Sequence, residues 1–105
     1  MTYRIAICYG RPADPAAFDA HYAETHVPLA RKIPGLSAFT WGNCSPLGSG
    51  EPPYYMVASL HFPTAEALER ALTSAEMKAA GRDVRNFATG GVTMFTQSER
   101  SALTP

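Results

Sequence analysis

"YYMVASLHF", residues 54–62, alternates along its whole length: Tyr54, Met56, Ala58, Leu60 and Phe62 against Tyr55, Val57, Ser59 and His61. Successive residues of an extended chain project to opposite faces, so the stretch reads as a strand with one apolar and one mixed face. The apolar face needs cover, and the next residues provide it. Thr64 caps a helix carrying Leu68 and Leu72, and Thr73 with Glu76 has the spacing of a capping box for a further helical stretch. Before the strand, "CSPLGSGEPP" (44–53) is a loop by composition.

The same logic works toward both ends. "YRIAICYG" (3–10) puts Tyr3, Ile5, Ile7 and Tyr9 on one face and Arg4, Ala6 and Cys8 on the other, then stops at Gly10 and Pro12. Asp14-Pro15 reads as an N-cap followed by proline at the first helical position. Phe18, Tyr22, Thr25 and Leu29 then recur at helical spacing, Ile33 continues the stripe, and Pro34-Gly35 ends it. "LSAFTWGN" (36–43) is a second strand with Phe39 and Trp41 on one face; "GVTMFTQ" (91–97) is a fourth, and "SERSALTP" (98–105) reads as a tail or dimer arm.

The order β-α-β-β-α-β makes residues 1–105 a single α+β domain of ferredoxin-like type, its core spanning about 3–97. Both helices cover one face of the antiparallel sheet. The other face, with Cys8, Tyr55, Ser59 and His61, also needs cover. Two sheets facing each other would supply it, so a homodimer with a shared barrel-like cavity is expected.

Composition narrows the partners. Nine basic and nine acidic side chains cancel, which gives no electrostatic footprint for nucleic acid or an anionic membrane surface. No apolar run approaches the roughly 20 residues of a membrane span, and the N-terminus lacks the pattern of a secretory signal. Cys8 and Cys44 are too few for a disulfide scaffold, so a cytoplasmic protein with reduced thiols is expected.

The stretch with most chemistry is "HYAETHVPLARKIPGL" (21–36). Pro28 has no backbone N–H and biases Val27 away from helix, so a kink or break is expected around residues 25–28, freeing carbonyls near Ala23 and Glu24. His26 sits at that break, on the edge of the apolar stripe. It either clamps a loose carbonyl or acts as a general acid/base, since imidazole titrates near working pH. His21 lies about 140° around the helix and reads as a surface or interface residue. His61 shares a face with Tyr55, and both are candidates to stabilise charge developing on an oxygen. Tyr9, Tyr22 and Trp41 could line a pocket, although core packing explains Tyr9 and Trp41 as well. Arg11 is placed either to hold a substrate oxygen or to be a solvated loop residue. Cys8 has no adjacent base and reads as a small buried thiol. The five-residue spacing of His21 and His26 is not a metal-ligand pattern, and no glycine-rich stretch opens a helix as a phosphate loop does. No cofactor and no metal are expected.

"FDAHYAETHVPLARKIPGL", an aromatic strand, "PPYYMVASLHFPTAEALERAL" and "NFATGGVTMF" together resemble the EthD family, named for ethyl tert-butyl ether degradation, within the dimeric α+β barrel superfamily. The most specific element is Phe18, Tyr22, His26, Pro28 and Leu29 leading into Pro34-Gly35-Leu36. The resemblance implies the ferredoxin-like fold, a homodimer and His26 as a site residue. Relatives include a methylmuconolactone isomerase, polyketide-pathway proteins, cofactor-free monooxygenases and haem binders. The expected activity is therefore that of a small cofactor-independent enzyme, of isomerase or monooxygenase type, on an aromatic, lactone or polyketide-like molecule. A non-catalytic carrier of a hydrophobic metabolite and a haem-binding barrel are the alternatives.

Overall fold

The structure, a computed structural model, describes residues 1–103; of the tail expected over 98–105, Thr104 and Pro105 lie outside the described residues. Four strands, β1 (Thr2–Tyr9), β2 (Ala38–Asn43), β3 (Met56–Phe62) and β4 (Val92–Glu99), form one sheet in the order β2-β3-β1-β4. Every pairing is antiparallel. The helical segments are α1 (Pro15–His21), a π-helical turn (Tyr22–His26), α2 (Val27–Ala30), α3 (Ala65–Leu72) and α4 (Ala75–Val84). This is the expected βαββαβ arrangement, with Ser98 and Glu99 extending β4 rather than starting a tail.

The register assigns the faces. Trp41, Ala58, Ile7 and Met94 form one cross-strand row, and Thr40, Ser59, Ala6 and Phe95 form the next on the opposite face. The first row's face meets the helices. There Ile5, Leu60 and Phe62 pack with Ile33, Leu68 and Ala71, while Tyr9, Met56 and Ala58 pack with Phe18, Tyr22 and Phe87. Burying such side chains is the main stabilising term; truncating Phe62, which is fully buried, to alanine would cost about 3–5 kcal/mol.

Helix starts follow the capping chemistry with one change. Asp14 accepts from the Ala17 N–H and Thr64 from the Ala67 N–H, as expected. The cap of α4 is Ser74, which accepts from the Met77 N–H, while Thr73 bonds back to the Arg70 carbonyl. Leu72 is exposed; the buried face of α3 is Ala67, Leu68 and Ala71.

Three further expectations need correcting. The helix does not break before Pro28. Val27 stays helical (φ −57°, ψ −47°) and its N–H reaches the Tyr22 carbonyl, five residues back. A π turn holds one residue more than an α turn. That extra residue rotates the stripe, so His26 and Ala30 are buried where ideal α spacing would put Thr25 and Leu29. Secondly, Tyr55 does not share the face of His61. The chain enters the pleat only at Met56, so alternation does not govern Tyr55. Its ring meets Phe18 edge-on at 5.3 Å and its hydroxyl donates to Asp19 at 2.8 Å, on the helix side. Thirdly, His21 is not a surface residue apart from the site, as described below.

Gly10 and Gly90 bring the end of β1 against the loop before β4. A Cβ on Gly10 would collide with the Gly90 carbonyl, and one on Gly90 with the Arg11 carbonyl. This close approach holds Tyr9 at the last position of β1, under the helices.

Candidate active site

Asp83 is the centre of the site. It lies on α4 in "AAGRDVRNF" (79–87), where Ala80, Asp83, Val84 and Phe87 recur at helical spacing and put a carboxylate in an apolar stripe. His26 Nδ1 lies 2.9 Å from Asp83 Oδ2, and His21 Nε2 lies 2.9 Å from Oδ1. Asn86 Nδ2 donates to Oδ1 at 3.0 Å. Three donors thus converge on a carboxylate that is itself 6 % exposed.

Protonation states follow from this. Burial alone would push the Asp83 carboxyl up, but hydrogen bonds from Asn86, His21 and His26 outweigh it and hold the group below its ordinary value. Asp83 is therefore a carboxylate, which only accepts hydrogen bonds. His26 must donate through Nδ1–H, leaving the lone pair on Nε2. Burial lowers His26 below the ordinary imidazole value, and the bond to Asp83 opposes only part of that, so the ring is neutral near pH 7. A neutral imidazole with a fixed tautomer is a usable base.

His26 lines a narrow cavity of about 50 Å³ between sheet and helices, together with Ile7, Tyr9, Tyr22, Phe39, Leu60, Met77 and Met94. The space holds a few waters, and two of its lining side chains, Met77 and Met94, are flexible enough to reshape it. The aromatic rings around His26 form one cluster: Phe87 lies 4.8 Å from the His26 ring and 5.4 Å from that of Tyr9, and Tyr22 lies 5.2 Å from His26. Tyr9 is fully buried, and its hydroxyl is the one buried side-chain polar atom without a partner among the described residues. Burial, with Tyr22 and Asp83 nearby, raises Tyr9 far above the usual phenol range, so it keeps its proton; burial does the same to Tyr22.

Of the residues singled out in the sequence, His26, Tyr9 and Tyr22 are brought together. His61 is on the opposite sheet face, paired with Glu99 at 3.2 Å beside Arg4. Tyr55 packs on α1, and its hydroxyl is raised by burial and by Asp19. Arg11 lies 5.7 Å above the Tyr55 ring, in an outer groove with Cys44. Trp41 touches Tyr22 at 5.7 Å from outside the cavity and is about half exposed. Cys8 is buried, its thiol pushed up mainly by that burial. Asp83 was missed, although the carboxylate within the stripe Ala80, Val84, Phe87 was a legible signal.

Known proteins agree with this architecture. The model of the EthD domain matches residues 11–91. An uncharacterized 11.0 kDa protein from the thcB-thcC intergenic region of Rhodococcus erythropolis is 45 % identical over 101 residues, covering 96 % of this chain and 98 % of that protein. The crystal structure of an EthD family protein from Bacillus halodurans superposes with a TM-score of 0.88 at 34 % identity, over 95 % of this chain and 100 % of that one. SnoaB, a cofactor-independent oxygenase from Streptomyces nogalater, shares the fold at a TM-score of 0.64 and 17 % identity, over 99 % of this chain and 97 % of its own. Ferredoxin-like proteins described as dimeric share it too. The chain belongs to the EthD family.

Proposed function

We propose that this EthD protein is a small enzyme that moves a proton within an uncharged, largely apolar molecule, with His26 as acid/base and no bound cofactor. The observation that carries the reading is the 2.9 Å bond from His26 Nδ1 to Asp83, which leaves Nε2 as the reactive nitrogen of a residue lining an apolar cavity. Asp83 orients the ring and stabilises the imidazolium formed when Nε2 takes a proton. SnoaB supplies a precedent on the same fold for catalysis without a cofactor. Aromatic, lactone and polyketide-like molecules of isomerase or oxygenase chemistry suit the apolar lining.

The working unit is a homodimer. On the open sheet face Phe95 is 49 % exposed and Val57 partly exposed in the single chain, beside Cys8 and Ala6, which are already buried. Leaving that face in water forgoes apolar burial that a second sheet would supply. The catalytic cavity then belongs to each protomer, on the helix side, and the dimer interface lies on the other side of the sheet.

The test is to identify by mass spectrometry a small molecule retained through purification and to follow its turnover by the parent and by His26→Gln. A loss of about 10²–10⁴-fold in a folded His26→Gln variant supports the reading. Equal turnover, or a retained molecule that no form of the protein converts, overturns it in favour of a carrier.

A further inference from the structure

We propose that Tyr9 is a catalytic residue whose hydroxyl holds the oxygen of an enolisable carbonyl compound while His26 removes the adjacent proton. The inference rests on the reading of His26 as base and names the substrate class for that same site.

The Tyr9 hydroxyl is buried with no hydrogen-bond partner among the described residues. Leaving a polar group so is costly, and native proteins do it rarely. Tyr9 lines the same cavity as His26. The Tyr9 and His26 rings both lean on Phe87 and both contact Tyr22. Because burial keeps the phenol protonated, Tyr9 is a donor in search of an acceptor.

A donor and a neutral base in one apolar cavity select for a pair of ligand features: an oxygen that accepts, and an acidic proton nearby. Among the described residues no lysine or arginine lines the cavity, and the anionic Asp83 lies 2.9 Å from His26 Nδ1, so a ligand carrying a carboxylate or phosphate there is disfavoured. A neutral ketone, lactone or related carbonyl meets both requirements. The C–H bond next to the carbonyl breaks, and its proton goes to His26 Nε2. The electron pair moves onto the carbonyl oxygen, and the enolate so formed accepts the Tyr9 O–H. Return of the same proton from Nε2 to a different carbon completes an isomerisation with no co-reactant. The charge that needs stabilising exists only along this path, where a preorganised donor acts most strongly.

The probe is cyclohex-3-en-1-one, whose conversion to the conjugated cyclohex-2-en-1-one is followed by ultraviolet absorbance. The parent should accelerate it above buffer. Tyr9→Phe should lower kcat by about 10²-fold. It should also melt no lower than the parent, because the hydroxyl removed has no partner to lose. Loss of the rate in His26→Gln with full rate retained in Tyr9→Phe would overturn the role of Tyr9 and leave His26 standing. Full rate in His26→Gln would overturn the reading beneath it. No acceleration by the parent would overturn the substrate class, and a strongly destabilised Tyr9→Phe would show that the hydroxyl is structurally bonded and overturn the premise.

Discussion

Asp83 Oδ2 receives the Nδ1–H of His26 at 2.9 Å, and Oδ1 of the same carboxylate receives His21 at 2.9 Å. One buried anion therefore ties together α1, the π turn and α4. Removing it leaves two imidazole donors and the Asn86 amide without an acceptor. Asp83→Ala should cost about 3–5 kcal/mol in denaturant unfolding, the range for breaking a buried charged network. Asp83→Asn keeps an acceptor oxygen and should fold, but it no longer compensates an imidazolium, so turnover should fall by at least about 10²-fold. Parent-like turnover in Asp83→Asn would remove the carboxylate from the mechanism.

The same pair fixes the direction of pH dependence. His26 has a folded-state value below the ordinary one near 6.5, so between the two values the unfolded chain binds the extra proton. Its contribution to stability is present above about pH 6.5 and is lost as pH falls through the folded value. Asp83 is also depressed, so its contribution is present above about 3.9 and disappears at still lower pH. Melting temperature should thus fall from neutrality toward acid, and His26→Gln should flatten the upper part of that decline. An unchanged slope between pH 7 and 5 in His26→Gln would assign the decline to other groups.

The open sheet face makes its own prediction. Phe95 lies in a row with Ala6, Ser59 and Thr40 on the face away from the helices. Light scattering should give twice the chain mass for the parent and a shift toward the monomer for Phe95→Glu, which sets a charge where a second sheet should lie. A parent that is monomeric at micromolar concentration, with its fold intact, would refute the dimer.

The sheet was readable because period-two alternation is a local property, and "MVASLHF" (56–62) and "YRIAICY" (3–9) carry it through their strands. The caps were readable for the same reason, since Asp14 and Thr64 act within three residues. The site was only half readable. His26 was visible as a polar residue near an apolar stripe, but its partner Asp83 is 57 positions away and only the packing of α4 joins them. His21 and His26 looked divergent because 100° per residue assumes an α turn. The intervening π turn, of longer period, brings both onto one carboxylate. Tyr55 failed for a comparable reason, as it lies one residue outside the pleat that its neighbours obey.

The π turn itself can be tested. The buried residues Phe18, Tyr22, His26, Ala30 and Ile33 are spaced by four, four, four and three. Removing one residue between Tyr22 and His26 makes that spacing four, three, four and three, the repeat of an ordinary α-helix. Ala23 is exposed, so its deletion sacrifices no buried contact of its own. The Ala23-deleted chain should fold as a regular helix, with a melting temperature lowered by the weakened network around Asp83. The site, however, depends on the longer turn to aim His21 and His26 at Asp83. A helix shortened by one residue shifts one end against the other by about 1.5 Å, and a misplacement of about 1 Å at a reacting group can cost about 10²-fold in rate. The expected result is a folded but less stable protein with little turnover and a weakened His26–Asp83 bond, read from the nitrogen chemical shifts of the His26 ring. A deletion variant that keeps both its stability and its full rate would show that the π turn has no part in placing the base.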